Sequence, residues 1–549
     1  MSVKSTVLGI CILAAGAASA MAPTAVYKTA DGWDYIFTFE APRWVNRVIL
    51  TEKGNSAGKW ELKECDLWKF CEGDAIGARC ERDFWKTPFA HSFTLSVTAK
   101  TQPVLDAEFT RVEGIDKVKP WEHLTAETWE QKLKRMEWWT EARFGMFIHF
   151  GLYAAAGRHE WAKSNERISD ADYQRYFDTF NPDRFDAREW AKAAKAAGMK
   201  YVVLTSKHHE GFCLWDSDVT DYKITKTNFK RDLIKEFVEA FRAEGLKVGF
   251  YYSLLDWHHP DFTIDRIHPR RTVAKIDGAE AEAADYTEVN KGRDMARYRK
   301  YMKDQVTELL TRYGKIDIIW FDFSYPGKNG KGRDDWDSKG LLALARKLQP
   351  GILVNNRLDL PEYEDGWDCA TPEQNREPFW PKVNGREVPW ETCQTFSGSW
   401  GYARDEKTWK SSFQIIEQLL DTVSKGGNLL MNVGPTGAGE FDCRAKERLA
   451  DYGKWLHENG DAIYGCTRAP AEFAGPPNTI LTYNPKTRKL YMAVLSWTYG
   501  QIKLPFAGRV TYAQLLNDKS EVRLRHGMLD IPTDKPPTEI PVIEFTLKY

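Results

Sequence analysis

The residues of this chain that could do chemistry recur at one place in its pattern, the polar end of an apolar run. The run "KIDIIWFDFSYP", residues 315–326, is the plainest case, because it carries Asp322 just where it gives way to a loop. Strand alternation puts Ile316, Ile318, Trp320 and Asp322 on one face and Asp317 on the other, at the start of the run. Other runs end in the same way. His149 closes "GMFIHFG", followed by Glu160 and Trp161 in "RHEWA"; His208 and His209 follow "YVVLTSK"; Tyr251 and Tyr252 close "VGFYYS"; Asn356 and Arg357 close "GILVNN". Glu373 and Glu391 come next. A carboxylate beside Trp320 and Phe321 loses solvation, which is unfavourable unless donors or cations surround it. Histidines and Arg357 are the candidates. A desolvated, ionised aspartate among donors and aromatic rings suits a nucleophile attacking the anomeric carbon of a sugar. Such chemistry needs a second carboxyl about 5–5.5 Å away to protonate the leaving oxygen. Glu373 in "TPEQ" and Glu391 in "PWETC" are the two choices.

The elements that must position these groups are legible as a rhythm. From about residue 120, amphipathic helices alternate with near-continuous apolar strands, the pattern of a parallel sheet covered by helices. "DAREWAKAAKAAG" has an Asp186/Glu189 capping pair at its start and Gly198 as its stop signal. Seven or more such strands over roughly 340 residues predict a (β/α)8-like TIM barrel, and no GxGxxG follows the first strand as a dinucleotide fold would need. In a barrel of that kind the C-terminal strand ends build the active site. Short alternating segments such as "HSFTLSVTA" before the barrel, and "RKLYMAVLSW" after it, predict flanking β-sandwiches. The expected division is a signal peptide over 1–20, a β-sandwich over 21–118, the catalytic barrel over 119–465 and a C-terminal β-sandwich over 466–549. The acidic segment "DGAEAEAADYTEVN" reads as a solvated insertion after the third strand.

Composition narrows the partner. Lysine plus arginine number 77 against 78 acidic residues, so no global field attracts nucleic acid or an anionic membrane. Tryptophans number 22, and their flat faces suit the C–H faces of sugars. "MSVKSTVLGICILAAGAASA" has the form of a signal peptide cut after Ala20, and no later run is long enough to span a membrane. Export is the expectation, and the absence of an Asn-x-Ser/Thr sequon points to a bacterial source. Cys65, Cys71 and Cys80 lie close enough for one disulfide. No cofactor is implied, and the strands lack the HxH that a barrel metal site commonly uses.

Several of these runs resemble the α-L-fucosidases, family 29 of the glycoside hydrolases: "ARFGMFIHFGLYA", "KHHEGFCLWDS", "VGFYYSLLDW", "IDIIWFD", "WETCQTFSGSWGY" and "LLDTVSKGGNLLMNVGPTGAGE", in that order over about residues 120–465. The resemblance implies a barrel, often with attached β-sandwiches, that removes terminal α-L-fucose from fucosylated glycans with retention. It implies Asp322 as nucleophile, with His149, Glu160, Trp161, His208, His209, Tyr251, Trp320 and Arg357 around the sugar. A subgroup carrying "T-x-E" after "N-x-R" favours Glu373 over Glu391 as the acid/base. The chain departs from the family after the nucleophile, where a glycine is frequent and Phe323 stands here. The N-terminal region faintly resembles galactose-binding-like sandwiches. Alternatives are an α-L-galactosidase on the same scaffold, since L-galactose adds only a C6 hydroxyl, and a non-catalytic fucose-binding protein.

Overall fold

A computed structural model describes residues 20–54, 56–64, 68–84, 89–111, 127, 129–360, 366–374, 381–383, 386–498 and 500–548. The expected signal peptide up to residue 19, Cys65 and the boundary at 118/119 lie outside the described residues. The chain divides into two compact units, breaking after Ala126.

The first unit holds two antiparallel sheets. One has five strands, Ala25–Lys28, Gly32–Trp44, Phe89–Thr98, Trp60–Glu64 and Trp68–Gly73 in that spatial order; the other has three, with Arg47–Lys53 between Cys80–Asp83 and Val104–Thr110. Alternate residues of both sheets meet in one aromatic core, with Phe93 stacked on Phe109 across it at 5.0 Å. This is the β-sandwich that period-two alternation predicts. Cys71 and Cys80 are buried free thiols, so no disulfide joins them.

In the second unit, seven parallel strands form the barrel wall: β1 (Phe144–Ile148), β2 (Tyr201–Lys207), β3 (Lys247–Ser253), β4 (Ile318–Asp322), β5 (Leu353–Val354), β7 (Glu391–Thr395) and β8 (Asn428–Val433). The eighth, β6, spans residues 369–373 and is held only by single parallel bridges, Asn355 to Cys369 on one side, and Ala370 to Trp390 and Glu373 to Cys393 on the other. Because β8 also pairs with β1, with Val433 opposite Ile148, the ring is closed. A closed ring has no free edge.

The apolar strands are buried on both faces. Phe147, Tyr201, Val203, Tyr251, Ile318, Trp320, Leu353 and Leu430 fill the interior, while Ile319 and Phe321 pack outward against the helices. Ile316 departs from the alternation expected of it. It precedes β4 and joins the outer layer, because strand geometry begins only at Ile318. Asp317 behaves as a strand-start residue, accepting from the Val248 amide at 3.1 Å and facing Lys247 and Lys315. Gly145 is required by close approach, since a Cβ there would lie 2.4 Å from the Tyr201 ring.

Helices follow six of the eight strands. The helix Ala187–Ala196 is capped by Asp186, whose carboxylate accepts from the amides of Arg188 and Glu189; such a cap contributes about 1 kcal/mol. Gly198 takes the left-handed backbone, φ 85°, that ends the helix. Among the described residues no helix lies between β5 and β6, and between β6 and β7 there is only a hairpin of Lys382–Val383 with Arg386–Glu387. The acidic insertion after β3 carries one short helix, Ala279–Ala283. The C-terminal sandwich opens at Thr467 with a five-stranded and a three-stranded sheet over their own core, and it belongs to the same compact unit as the barrel. The Trp455 indole donates to the Ile540 carbonyl at 2.8 Å across that junction.

Candidate active site

The C-terminal strand ends converge on one pocket with about 360 Å³ of empty space. All ten residues nominated from the sequence line it: Asp322, Glu373, His149, Glu160, Trp161, His208, His209, Tyr251, Trp320 and Arg357. Phe147, Phe323, Cys393 and Trp400 complete the wall. Phe147 and Trp400 went unnamed as site residues, although Trp400 stands in the Gly-Ser turn "SGSWGY" just past the end of β7, a position where an aromatic side chain is a signal worth reading. Glu391 is elsewhere. It opens β7 at the opposite end of the barrel, where it takes a hydrogen bond from Tyr201 and another, at 3.3 Å, from the Trp320 indole.

Asp322 ends β4 with 8 % of its surface exposed. One oxygen accepts from Arg357 Nη1 and the other from the Tyr251 hydroxyl, each at 2.8 Å. Two donors, one of them charged, replace the solvation that a nearly buried carboxylate has lost. The Arg357 guanidinium lies 4.4 Å over the Trp320 ring, which fixes its plane. The same Nη1 also donates to Glu373 Oε2 at 3.1 Å. A nitrogen shared at 2.8 Å and 3.1 Å cannot hold two oxygens farther apart than those contacts laid end to end, about 5.9 Å. Retaining glycosidases separate their carboxyls by about 5–5.5 Å and inverting ones by about 6.5–9.5 Å. That limit, set on one oxygen of each carboxylate, accommodates the shorter separation.

Two histidines beside this pair have their tautomers set by hydrogen bonds. Asn432 donates its amide to the Trp400 carbonyl at 2.6 Å, so its oxygen accepts the 2.6 Å contact from His149 Nδ1. Ser253 gives its proton to the Leu255 carbonyl at 2.9 Å and accepts from His209 Nδ1 at 2.7 Å. Each network leaves Nε2 as an acceptor. Burial, the dominant influence on both, pulls the His149 pKa down to about 4 and the His209 pKa down to about 3. His208 is pushed well below the usual range by burial and, to a lesser extent, by His209, His149 and His159, and its buried Nδ1 has no partner among the described residues.

Glu160 accepts from the Gly401 amide at 2.9 Å and from Ser399 at 3.3 Å through Oε2. Its Oε1 is buried without a hydrogen bond. His159 Nδ1 lies 3.4 Å from that oxygen but already accepts from the Trp161 amide, so the proximity is not a donated bond. Burial raises the Glu160 pKa. Unpaired buried polar atoms on residues that line a pocket are costly alone, and a ligand with several hydroxyls could satisfy them. On the other side, Phe147 meets Trp320 at 5.2 Å and Trp400 at 6.2 Å, an apolar corner.

Phe323, next to Asp322, has φ 78°, a left-handed backbone that costs an L-residue with a side chain about 1–2 kcal/mol. Its neighbours hold it there. Tyr325 pairs through both backbone groups with Lys331 and donates its hydroxyl to Asp265, and Ser324 donates to the Arg357 carbonyl at 2.9 Å.

A barrel with two carboxylates joined through one arginine at its C-terminal rim fits a class, the glycoside hydrolases. A family profile described as α-L-fucosidase matches residues 117–461. The chain is 31 % identical over 411 residues to the plasma α-L-fucosidase of Homo sapiens, covering 69 % of this chain and 80 % of that protein. It is 31 % identical over 448 residues to the tissue α-L-fucosidase of Mus musculus, covering 75 % and 91 %. The chain therefore belongs to the α-L-fucosidases, glycoside hydrolase family 29. Among solved structures, α-L-fucosidase isoenzyme 1 from Paenibacillus thiaminolyticus matches with TM-score 0.69 and 43 % identity over 76 % of this chain and 100 % of that one. A Bacteroides thetaiotaomicron α-L-fucosidase trapped as a covalent intermediate matches with TM-score 0.63 and 28 % identity over 76 % and 96 %.

Proposed function

We propose that Asp322 and Glu373 divide between them the double displacement of a retaining α-L-fucosidase acting on terminal α-L-fucose of fucosylated glycans. Asp322, held by Arg357 and Tyr251, attacks C1 as Glu373 protonates the leaving oxygen; Glu373 then takes a proton from water, which displaces Asp322 from the fucosyl-enzyme. The observation that carries this assignment is the single Arg357 nitrogen shared by the two carboxylates, which keeps one oxygen of each within about 5.9 Å of the other, compatible with the separation of a retaining pair. The half-exposed position of Glu373 supports its part, since the residue that meets water and the leaving group must reach solvent. His149, His208, His209, Glu160 and Trp161 bind the sugar hydroxyls, and the corner of Phe147, Trp320 and Trp400 receives the C5 methyl. Asp322→Ala removes the nucleophile and is expected to abolish aryl fucoside hydrolysis, with azide restoring turnover and giving a fucosyl azide of inverted configuration. Full activity in that variant sinks the assignment.

Export belongs to the same reading. The charged start, apolar run and Ala18-Ser19-Ala20 support cleavage after Ala20, and among the described residues no helix is long and apolar enough to cross a membrane.

A further inference from the structure

Buried side chains close most of the sugar pocket, and its more exposed members, Trp161, Phe323, Arg357, Glu373 and Trp400, mark the mouth. A second cavity of about 730 Å³ adjoins it. The two spaces share three residues, Asp322, Phe323 and Arg357, and the second continues past Ser324 and Tyr325 to Asn356 and Asp359. The shared carboxylate is the nucleophile assigned above, and the shared arginine holds the acid. The spaces therefore meet at the anomeric carbon. An exo-acting enzyme has one group to place outside its pocket at that carbon, the leaving group.

Phe323 stands at this junction. Its ring lies 5.2 Å from Trp161, 5.0 Å from His209 and 5.5 Å from Tyr325, so it is fixed by neighbours from two other segments and from its own loop while part of it stays open to solvent. Its backbone occupies a conformation that glycine adopts without strain. The chain keeps a ring where a glycine would fit more easily, which points to a use for the ring.

We propose that Phe323 is the specificity-determining residue for the leaving group: its ring walls the cavity beside the anomeric carbon and favours leaving groups that present a flat aryl or C–H face to it. The inference rests on the catalytic reading above and goes beyond it, to the class of aglycone. A pyranose or aryl group stacks on the ring as the glycosidic bond breaks; a leaving group of one atom cannot reach it.

The test uses the full chain as wild type and as Phe323→Gly, Phe323→Leu and Phe323→Trp, with kcat/KM measured on an aryl α-L-fucoside, a fucosyl disaccharide and α-L-fucosyl fluoride. Dividing by the fluoride value cancels differences in folded fraction and in sugar binding. Loss of one aromatic contact is expected to lower the aryl and disaccharide ratios about 3- to 10-fold in the Gly and Leu variants, with the Trp variant retaining them. The Leu variant keeps the left-handed backbone, so it separates the ring from the strain. Ratios within about twofold of wild type in both Gly and Leu overturn the proposal while leaving the catalytic reading intact. A wild-type protein inactive on all three substrates overturns both.

Discussion

Glu391→Gln separates two roles that one buried carboxyl could have. Glu391 is 2 % exposed, and burial raises its pKa from 4.5 to about 7, against hydrogen bonds from Tyr201, Trp320 and Trp139 that pull it down. Between those pH values the folded state binds a proton that the unfolded state has released. Stability from this group is therefore complete below about pH 4.5 and is lost as pH rises through about 7, by roughly 3 kcal/mol in total. Glutamine keeps its oxygen toward the indoles and turns its amide toward the Tyr201 oxygen, which takes the acceptor from the Tyr201 hydroxyl proton at every pH, and it has no proton of its own to lose. Denaturant midpoints for wild type and variant, measured from pH 4.5 to 8.5, should diverge in the variant's favour at the alkaline end. The same variant should keep kcat/KM on an aryl fucoside within about tenfold, whereas losing a general acid/base costs about 10²–10⁴-fold. Parallel stability profiles would refute the burial argument. A loss of 10² or more in activity with the fold intact would refute Glu373 as the acid/base.

Other outcomes follow from the same geometry. Glu373→Gln should lower kcat/KM on a fucosyl disaccharide by about 10²–10⁴-fold while affecting fucosyl fluoride far less, because fluoride leaves without a proton; equal losses on both substrates would count against the role. Amino-terminal sequencing of protein recovered from outside the producing cell should begin at Met21, and an intact Met1 there would exclude cleavage after Ala20.

The sequence was most informative where physics repeats itself. Apolar runs closing in polar residues marked the strand ends, and all ten nominated side chains reach one pocket because barrel strands must all point the same way. Resemblance favours Glu373 over Glu391, and strand position gives an independent reason: a residue opening a strand faces the barrel's far end. What stayed illegible lacked a periodic signal. β6 is "CATPE", too short and too polar to read as a strand, and it joins the wall by single bridges. The orienting roles of Asn432 and Ser253 depend on three-dimensional neighbours, and no pattern announces that Phe323 takes a left-handed backbone.

The gap in the helical ring bears on how such an enzyme changes over evolutionary time. Arg357 follows β5 and Glu373 ends β6, and among the described residues no helix packs behind either connection. On the other six connections an insertion would disturb a helix seated against the barrel. On these two it would meet no such helix among the described residues, and lengthening a loop costs free energy that grows only as the logarithm of its length. The arginine that tethers the acid and the acid itself thus ride on the part of the barrel freest to vary. New glycosidic linkages can be explored by reshaping this sector alone, while the nucleophile and the sugar pocket stay fixed in the packed remainder.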